Sequence, residues 1–180
     1  SGVARIDPRV LGQGPVRLRP VAIVADSKQI LGEPISVRVK PPAPLQPPPL
    51  YSHHVYADGF TVKAAGGKAA IVAGAKDNWL RDAGVASGQK FTVEGWFTVA
   101  ATDVYQFQLH GGTGLRLFVD GKEQDWPHGT EWWFVPVHLG AGRHAVRIEG
   151  TAAADKLDVR FGGPGSRRLE GTRFQHPNTN

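Results

Sequence analysis

The chain has 180 residues, enough for one full domain and a smaller piece. Its 23 Gly and 14 Pro suit a turn-rich β protein better than a helical one, and zero Cys excludes disulfides and thiolate metal sites. Of the net charge of +5, residues 1–40 hold seven Lys or Arg against three Asp or Glu, while residues 51–180 hold fourteen against thirteen. The main domain is therefore nearly neutral and lacks the concentrated basic face that nucleic-acid binding needs. No window of about 18 apolar residues occurs, which argues against membrane insertion through a helix. The opening SGVARIDPRV has no signal-peptide character and reads as the interior of a longer protein.

Residues 1–40 read as two strands. Val16 to Val24 runs first, Ala25-Asp26-Ser27-Lys28 makes a polar turn, and Ile35 to Val39 follows. A lone hairpin is marginal in water, so this piece must lean on the main domain or be the end of a neighbouring one. It resembles the last two strands of a bacterial immunoglobulin-like repeat. Residues 41–50, PPAPLQPPPL, contain six Pro and predict a stiff polyproline spacer, with a docking motif for proline-binding domains as the alternative.

Residues 51–170 read as the main domain and 171–180 as a C-terminal tail. Gly59 to Val62 and Ala69 to Val72 predict strands around a Gly66-Gly67 turn, and Lys76 to Gly84 predicts one helical turn or an irregular loop. The second half alternates strictly. Phe91, Val93, Phe97 and Val99 share one side. Tyr105, Phe107 and Leu109 share a face, as do Leu115, Leu117 and Val119. Asp120-Gly121 predicts a tight hairpin, because both central residues of a type I′ turn need positive φ. Val135, Val137 and Leu139 follow, Gly140-Ala141-Gly142 turns the chain, and Val146, Ile148, Leu157, Val159 and Phe161 complete the series. Short strands at this spacing predict an all-β antiparallel sandwich, jelly-roll-like, with a short N-terminal hairpin segment.

The order of an E-G-W strand, Y-x-F-x-L, L-R-L-F-V-D-G-K, a Trp-bearing loop, L-G-A-G-R-H-A-V-R-I-E and L-D-V-R-F is similar to the family named after the N-terminal module of anthrax protective antigen. The resemblance covers about Phe91 to Phe161. It implies a β-sandwich accessory module of the kind found in bacterial glycosidases and in adhesins. It also implies an extracellular, cell-surface or periplasmic location and a glycan or cell-surface partner. The sugar-binding adhesins of the family place two adjacent Asp residues after the Y-x-F-x-L strand to hold Ca²⁺, an ion that requires oxygen ligands. Here that loop reads His110-Gly111-Gly112-Thr113-Gly114 and holds no carboxylate, so the calcium site is not carried over.

The candidate ligand-binding residues lie in the next loop: Asp125, Trp126, His128, Glu131, Trp132 and Trp133. Trp faces can stack on sugar rings while Asp, His and Glu bind hydroxyls; the competing reading is that the Trp side chains pack the sandwich. Trp132 and Trp133 point to opposite sides if extended, so one of them is expected at the surface. The seven His are mostly scattered and show no H-x-x-x-H or HExxH spacing, so no metal or cofactor is expected. His144 has the parity of Val146 and Ile148 and reads as an inward or turn histidine with its hydrogen bonds satisfied. Asp120, Asp125 and Glu131 are the nearest carboxylates that could serve a glycosidase, although the hairpin already explains Asp120. The expected function is thus a non-catalytic binding module of a larger exported protein. The alternatives are a structural spacer or docking module and, third, a glycoside-acting enzyme domain.

Overall fold

The computed structural model describes residues 5–6, 11, 14–24, 27–49, 55–72, 79–125, 127, 133–153, 157–163, 170–171 and 174–178. The chain divides into two compact units, Ser1–Pro42 and Ala43–Asn180.

The first unit holds β1 (Gly14–Leu18), β2 (Val21–Ile23), β3 (Gln29–Leu31) and β4 (Ile35–Val39). β1 pairs antiparallel with β4, with Val16 opposite Val37, and β2 pairs with β3, with Val21 opposite Leu31. The run from Val16 to Val24, expected as one strand, is two. Pro20 at the break has no N–H to donate, and its carbonyl instead accepts from Gly32 N at 2.9 Å. Val21, Ile23, Ile30, Leu31 and Ile35 are each half or more exposed.

The second unit is an all-β sandwich. Its strands are β5 (Val55–Asp58), β6 (Phe60–Ala64), β7 (Ala69–Val72), β8 (Lys90–Val99), β9 (Asp103–His110), β10 (Gly112–Val119), β11 (Lys122–Glu123), β12 (Trp133–Leu139), β13 (Gly142–Ala152), β14 (Asp158–Gly162), β15 (Glu170–Gly171) and β16 (Gln175–Asn178). A single helical turn, α1 (Trp79–Asp82), falls inside the segment expected to hold one. The larger sheet runs β11-β10-β13-β8-β16-β5, with β6 also on β8 and β7 on β6; the smaller runs β12-β9-β14-β15. Every pairing between these strands is antiparallel.

Alternation decides which side chains enter the core. Along β8 the burial of Phe91, Val93, Phe97 and Val99 alternates with outward Thr92, Glu94, Trp96 and Thr98. Facing them from β9 are Tyr105, Phe107 and Leu109. Phe97 meets Phe107 edge to face at 5.4 Å and Phe161 at 4.9 Å, and Tyr105 stacks on Phe161 at 5.3 Å. The Tyr105 hydroxyl donates to Ala101 O at 2.8 Å, so the ring enters the core without an orphaned polar atom.

Two segments that the sequence set apart belong to the sandwich. Leu45, within the Pro-rich stretch 41–50, donates its N–H to His138 O and accepts from Gly140 N, both at 2.8 Å, as a parallel bridge beside Leu139. β16, within residues 171–180 expected as a tail, pairs with β5 and meets β8 at Trp96.

Gly59, between β5 and β6, has φ +130°, and a Cβ there would lie 2.7 Å from the Val72 carbonyl oxygen. Gly59→Ala combines a disfavoured backbone region with a clash against main chain. It is expected to cost about 2–4 kcal/mol by strain and overpacking, read as a lowered urea midpoint. An unchanged midpoint would contradict the close approach of Gly59 to Val72 of β7.

Candidate ligand groove

The outer face of the larger sheet carries a groove of about 670 Å³. Register builds its lining. Phe118 of β10 stands opposite Arg147 of β13, Arg147 opposite Glu94 of β8, Glu94 opposite Thr61 of β6, and Thr61 opposite Ile71 of β7. One row across the strands therefore reads aromatic, guanidinium, carboxylate, hydroxyl, aliphatic. Trp96, two residues beyond Glu94 on the same face, stands opposite Ala145, whose small side chain leaves space in front of the indole.

Phe118 points outward yet is only 7% exposed. Arg147 lies over its ring at 4.1 Å and Arg116 at 4.8 Å. Those arginines are held in turn. Arg116 makes a two-point contact with Glu123, both distances 2.7 Å, and reaches Glu149 at 3.3 Å; Arg147 meets Glu149 at 2.8 Å. The hydrogen bond from Arg116 keeps the Glu123 carboxyl below the usual carboxylate range. The Glu94 carboxylate, by contrast, makes no hydrogen bond or ion pair with a described residue, and the residue is exposed. Beyond Trp96, Tyr56 meets the indole edge to face at 5.8 Å, and Arg143 covers Tyr56 at 4.0 Å. The Arg143 Nε is buried with no hydrogen-bond partner among the described residues.

A second polar arrangement lies inside the sandwich. His144 is fully buried, as its parity with Val146 and Ile148 predicted. Its Nδ1 meets Asp120 Oδ2 at 2.6 Å and its Nε2 meets Gly140 O at 2.7 Å, while Phe97 stacks on the ring at 5.7 Å. Two acceptors on two ring nitrogens fit the imidazolium, which donates from both. Burial opposes that charge, but the Asp120 hydrogen bond, the Gly140 carbonyl and the Asp120 charge outweigh it and raise the His144 pKa above the ordinary value. Asp120 also accepts from Ala145 N at 2.9 Å. Asp120 and Gly121 have φ of 50° and 75°, as the hairpin requires. The aspartate is thus both a turn residue and the tie between the β10–β11 and β12–β13 turns.

Of the residues expected to bind ligand, the structure describes Asp125 and Trp133. Trp133 opens β12 opposite Leu109 and is 4% exposed, a core residue, in keeping with the packing alternative. Asp125 is exposed at the start of the loop. Trp126, His128, Glu131 and Trp132 lie outside the described residues. Of the segment His110–Gly114, read as a loop in the sequence, only Gly111, φ 98°, lies between β9 and β10, which makes a tight turn. Among the described residues no three His, Asp or Glu side chains cluster as a metal site would, and no helix is long and apolar enough to cross a membrane. His53 and His54 lie outside the described residues.

Trp96, Glu94 and Arg147 were missed as candidates. A signal was present: Trp96 has the opposite parity to Phe97 and Val99, which puts a large aromatic on the polar face of a strand.

No family model matches the chain, and no curated protein does. Among solved structures it is similar to the A domain of a subtype-switched epithelial adhesin from Candida glabrata in complex with β-lactose. The identity is 14%, the match covers 51% of this chain and 52% of that one, and the TM-score is 0.40. It is also similar to the GH31 α-xylosidase from Xanthomonas citri, with 16% identity, 89% of this chain, 16% of that one and a TM-score of 0.45. The chain thus spans about half of the adhesin domain and a small part of the xylosidase. Neither likeness assigns a residue or a ligand here.

Proposed function

We propose that the chain is a non-catalytic binding module of a larger exported protein, protective-antigen-like in kind, and that it binds carbohydrate on a glycan or a cell surface. The observation that carries the reading is the groove on the outer face of the larger sheet. It combines an aromatic side chain with a donor and an acceptor in an open concavity, the lining that orients a polyhydroxylated ligand. A role in binding rather than turnover is supported by how the polar groups are engaged. His144 is buried and tied at both nitrogens, and Arg116, Arg147, Glu123 and Glu149 hold one another. Export follows from the family resemblance alone.

A docking role is a second reading, favoured by the exposed aliphatic side chains Val21, Ile23, Ile30, Leu31 and Ile35 of the first unit. A glycan array probed with the intact chain, with and without Ca²⁺, separates the two. The carbohydrate reading expects binding to at least one glycan class, unchanged by chelator, since the His110–Gly114 turn offers no carboxylate. Silence across the array, or hydrolysis of any arrayed glycoside, contradicts it.

A further inference from the structure

Resting on that reading, we propose that the groove is a subsite for one neutral pyranose ring, stacked on Trp96 and hydrogen-bonded between Glu94 and Arg147. The register sets the geometry. Glu94 and Arg147 are direct cross-strand neighbours on one face, where opposed Cβ atoms are about 4.5–5.5 Å apart. Both side chains line the groove, one an acceptor and the other a donor, the two roles that hydroxyls of one ring require. Trp96 follows Glu94 by two residues on the same face, so its indole borders the same space, and Ala145 opposite it keeps that space open. Thr61 adds a hydroxyl on the far side of Glu94.

Charge selects the ligand class. An unpaired carboxylate beside an indole would by itself suit a cation. Here Arg147, the cross-strand neighbour of Glu94, lines the same groove with its guanidinium over Phe118, so a lysine or amino-sugar ammonium entering the groove meets a positive charge as well as a negative one. A uronic acid meets the reverse conflict at Glu94. The neutral ring meets neither, and can use the carboxylate as acceptor and the guanidinium as donor. Arg147 keeps donors for this role, because its contact with Glu149 is made through one terminal nitrogen, Nη1.

The test is calorimetric titration of the full chain with methyl glycosides of glucose, galactose, mannose and xylose, with cellobiose and maltose, and with galacturonic acid, glucosamine and an oligolysine peptide as charged probes. A neutral probe is expected to bind. Trp96→Ala should weaken it at least tenfold, Glu94→Gln about fivefold, and Ala145→Leu should fill the space in front of the indole while leaving Trp96 in place. Phe134→Ala, at an exposed position of the smaller sheet, should leave binding unchanged. Ala145→Leu and Glu94→Gln keep the test decisive if Trp96→Ala does not fold. Binding that is lost in Trp132→Ala and kept in all three groove variants overturns the subsite while leaving a carbohydrate-binding module. Preference for oligolysine, glucosamine or galacturonic acid overturns the neutral-ring assignment. No binding of any probe, on an array as in solution, overturns the subsite and the broader reading together.

Discussion

Asp120→Asn should destabilise the sandwich by about 3 kcal/mol at pH 6, within the range for breaking a buried pair. Asn tolerates the positive φ that Asp120 adopts, so the substitution keeps the hairpin and removes the charge. It leaves His144 fully buried between a neutral amide and the Gly140 carbonyl. The effect has a defined pH dependence. The His144 pKa is raised in the folded state, so the native protein holds a proton that the unfolded chain has lost above about pH 6.5. Between that pH and the higher native value, stability falls as pH rises; the contribution is complete below the unfolded pKa and gone above the folded one. In Asp120→Asn, burial is no longer opposed by a carboxylate, and the stability gap to the parent should be widest near pH 6 and narrow above it. Urea unfolding from pH 5 to 9 measures this. A variant within 0.5 kcal/mol of the parent at pH 6, or a gap that widens with pH, contradicts the imidazolium assignment.

Phe107→Ala should cost about 3–5 kcal/mol, as large core aromatics do when truncated. Phe107 is fully buried on the smaller sheet and bridges the layers, meeting Phe97 of the larger sheet at 5.4 Å and Phe161 at 4.8 Å. Its removal leaves a void between two rigid β layers that cannot close without moving Phe161 off Tyr105. The loss should appear as a lowered midpoint in near-ultraviolet circular dichroism, which reports the packed aromatics. By contrast, Phe134→Ala on neighbouring β12, whose side chain is 41% exposed, should stay within about 0.5 kcal/mol of the parent. Equal effects at the two positions would contradict the assignment of inward and outward faces.

Much of the sandwich is legible in the residues because period-two alternation survives from Phe91 to Phe161. The same parity placed His144 inside. Other features escaped for identifiable reasons. The second role of Asp120 depends on a partner 24 residues away, and the turn chemistry of Asp-Gly already accounted for the residue. β16 reads Gln175-His176-Pro177-Asn178, with no apolar alternation and a proline, so its place beside β8 comes from tertiary pairing alone. Leu45 is one apolar residue in a proline run, and only the edge of β12 gives it a partner. The groove is hidden in the sequence because the densest aromatic cluster lies elsewhere, at Trp126, Trp132 and Trp133. Of these, Trp133 packs in the core, while Trp96 stands at the surface of β8. A cross-strand row cannot be composed from sequence before register is known.

The central claim is that a neutral sugar ring sits on Trp96 in the groove of the larger sheet. Its most direct test is a ¹⁵N–¹H correlation titration of the full chain with the tightest neutral glycoside of the calorimetric panel. Shifts are expected at the Trp96 indole N–H and at the amides of Thr61, Glu94 and Ala145, with the Leu109 and Val135 amides of the smaller sheet unmoved. Shifts confined to residues 124–133, or a spectrum unchanged at saturating glycoside, would contradict it.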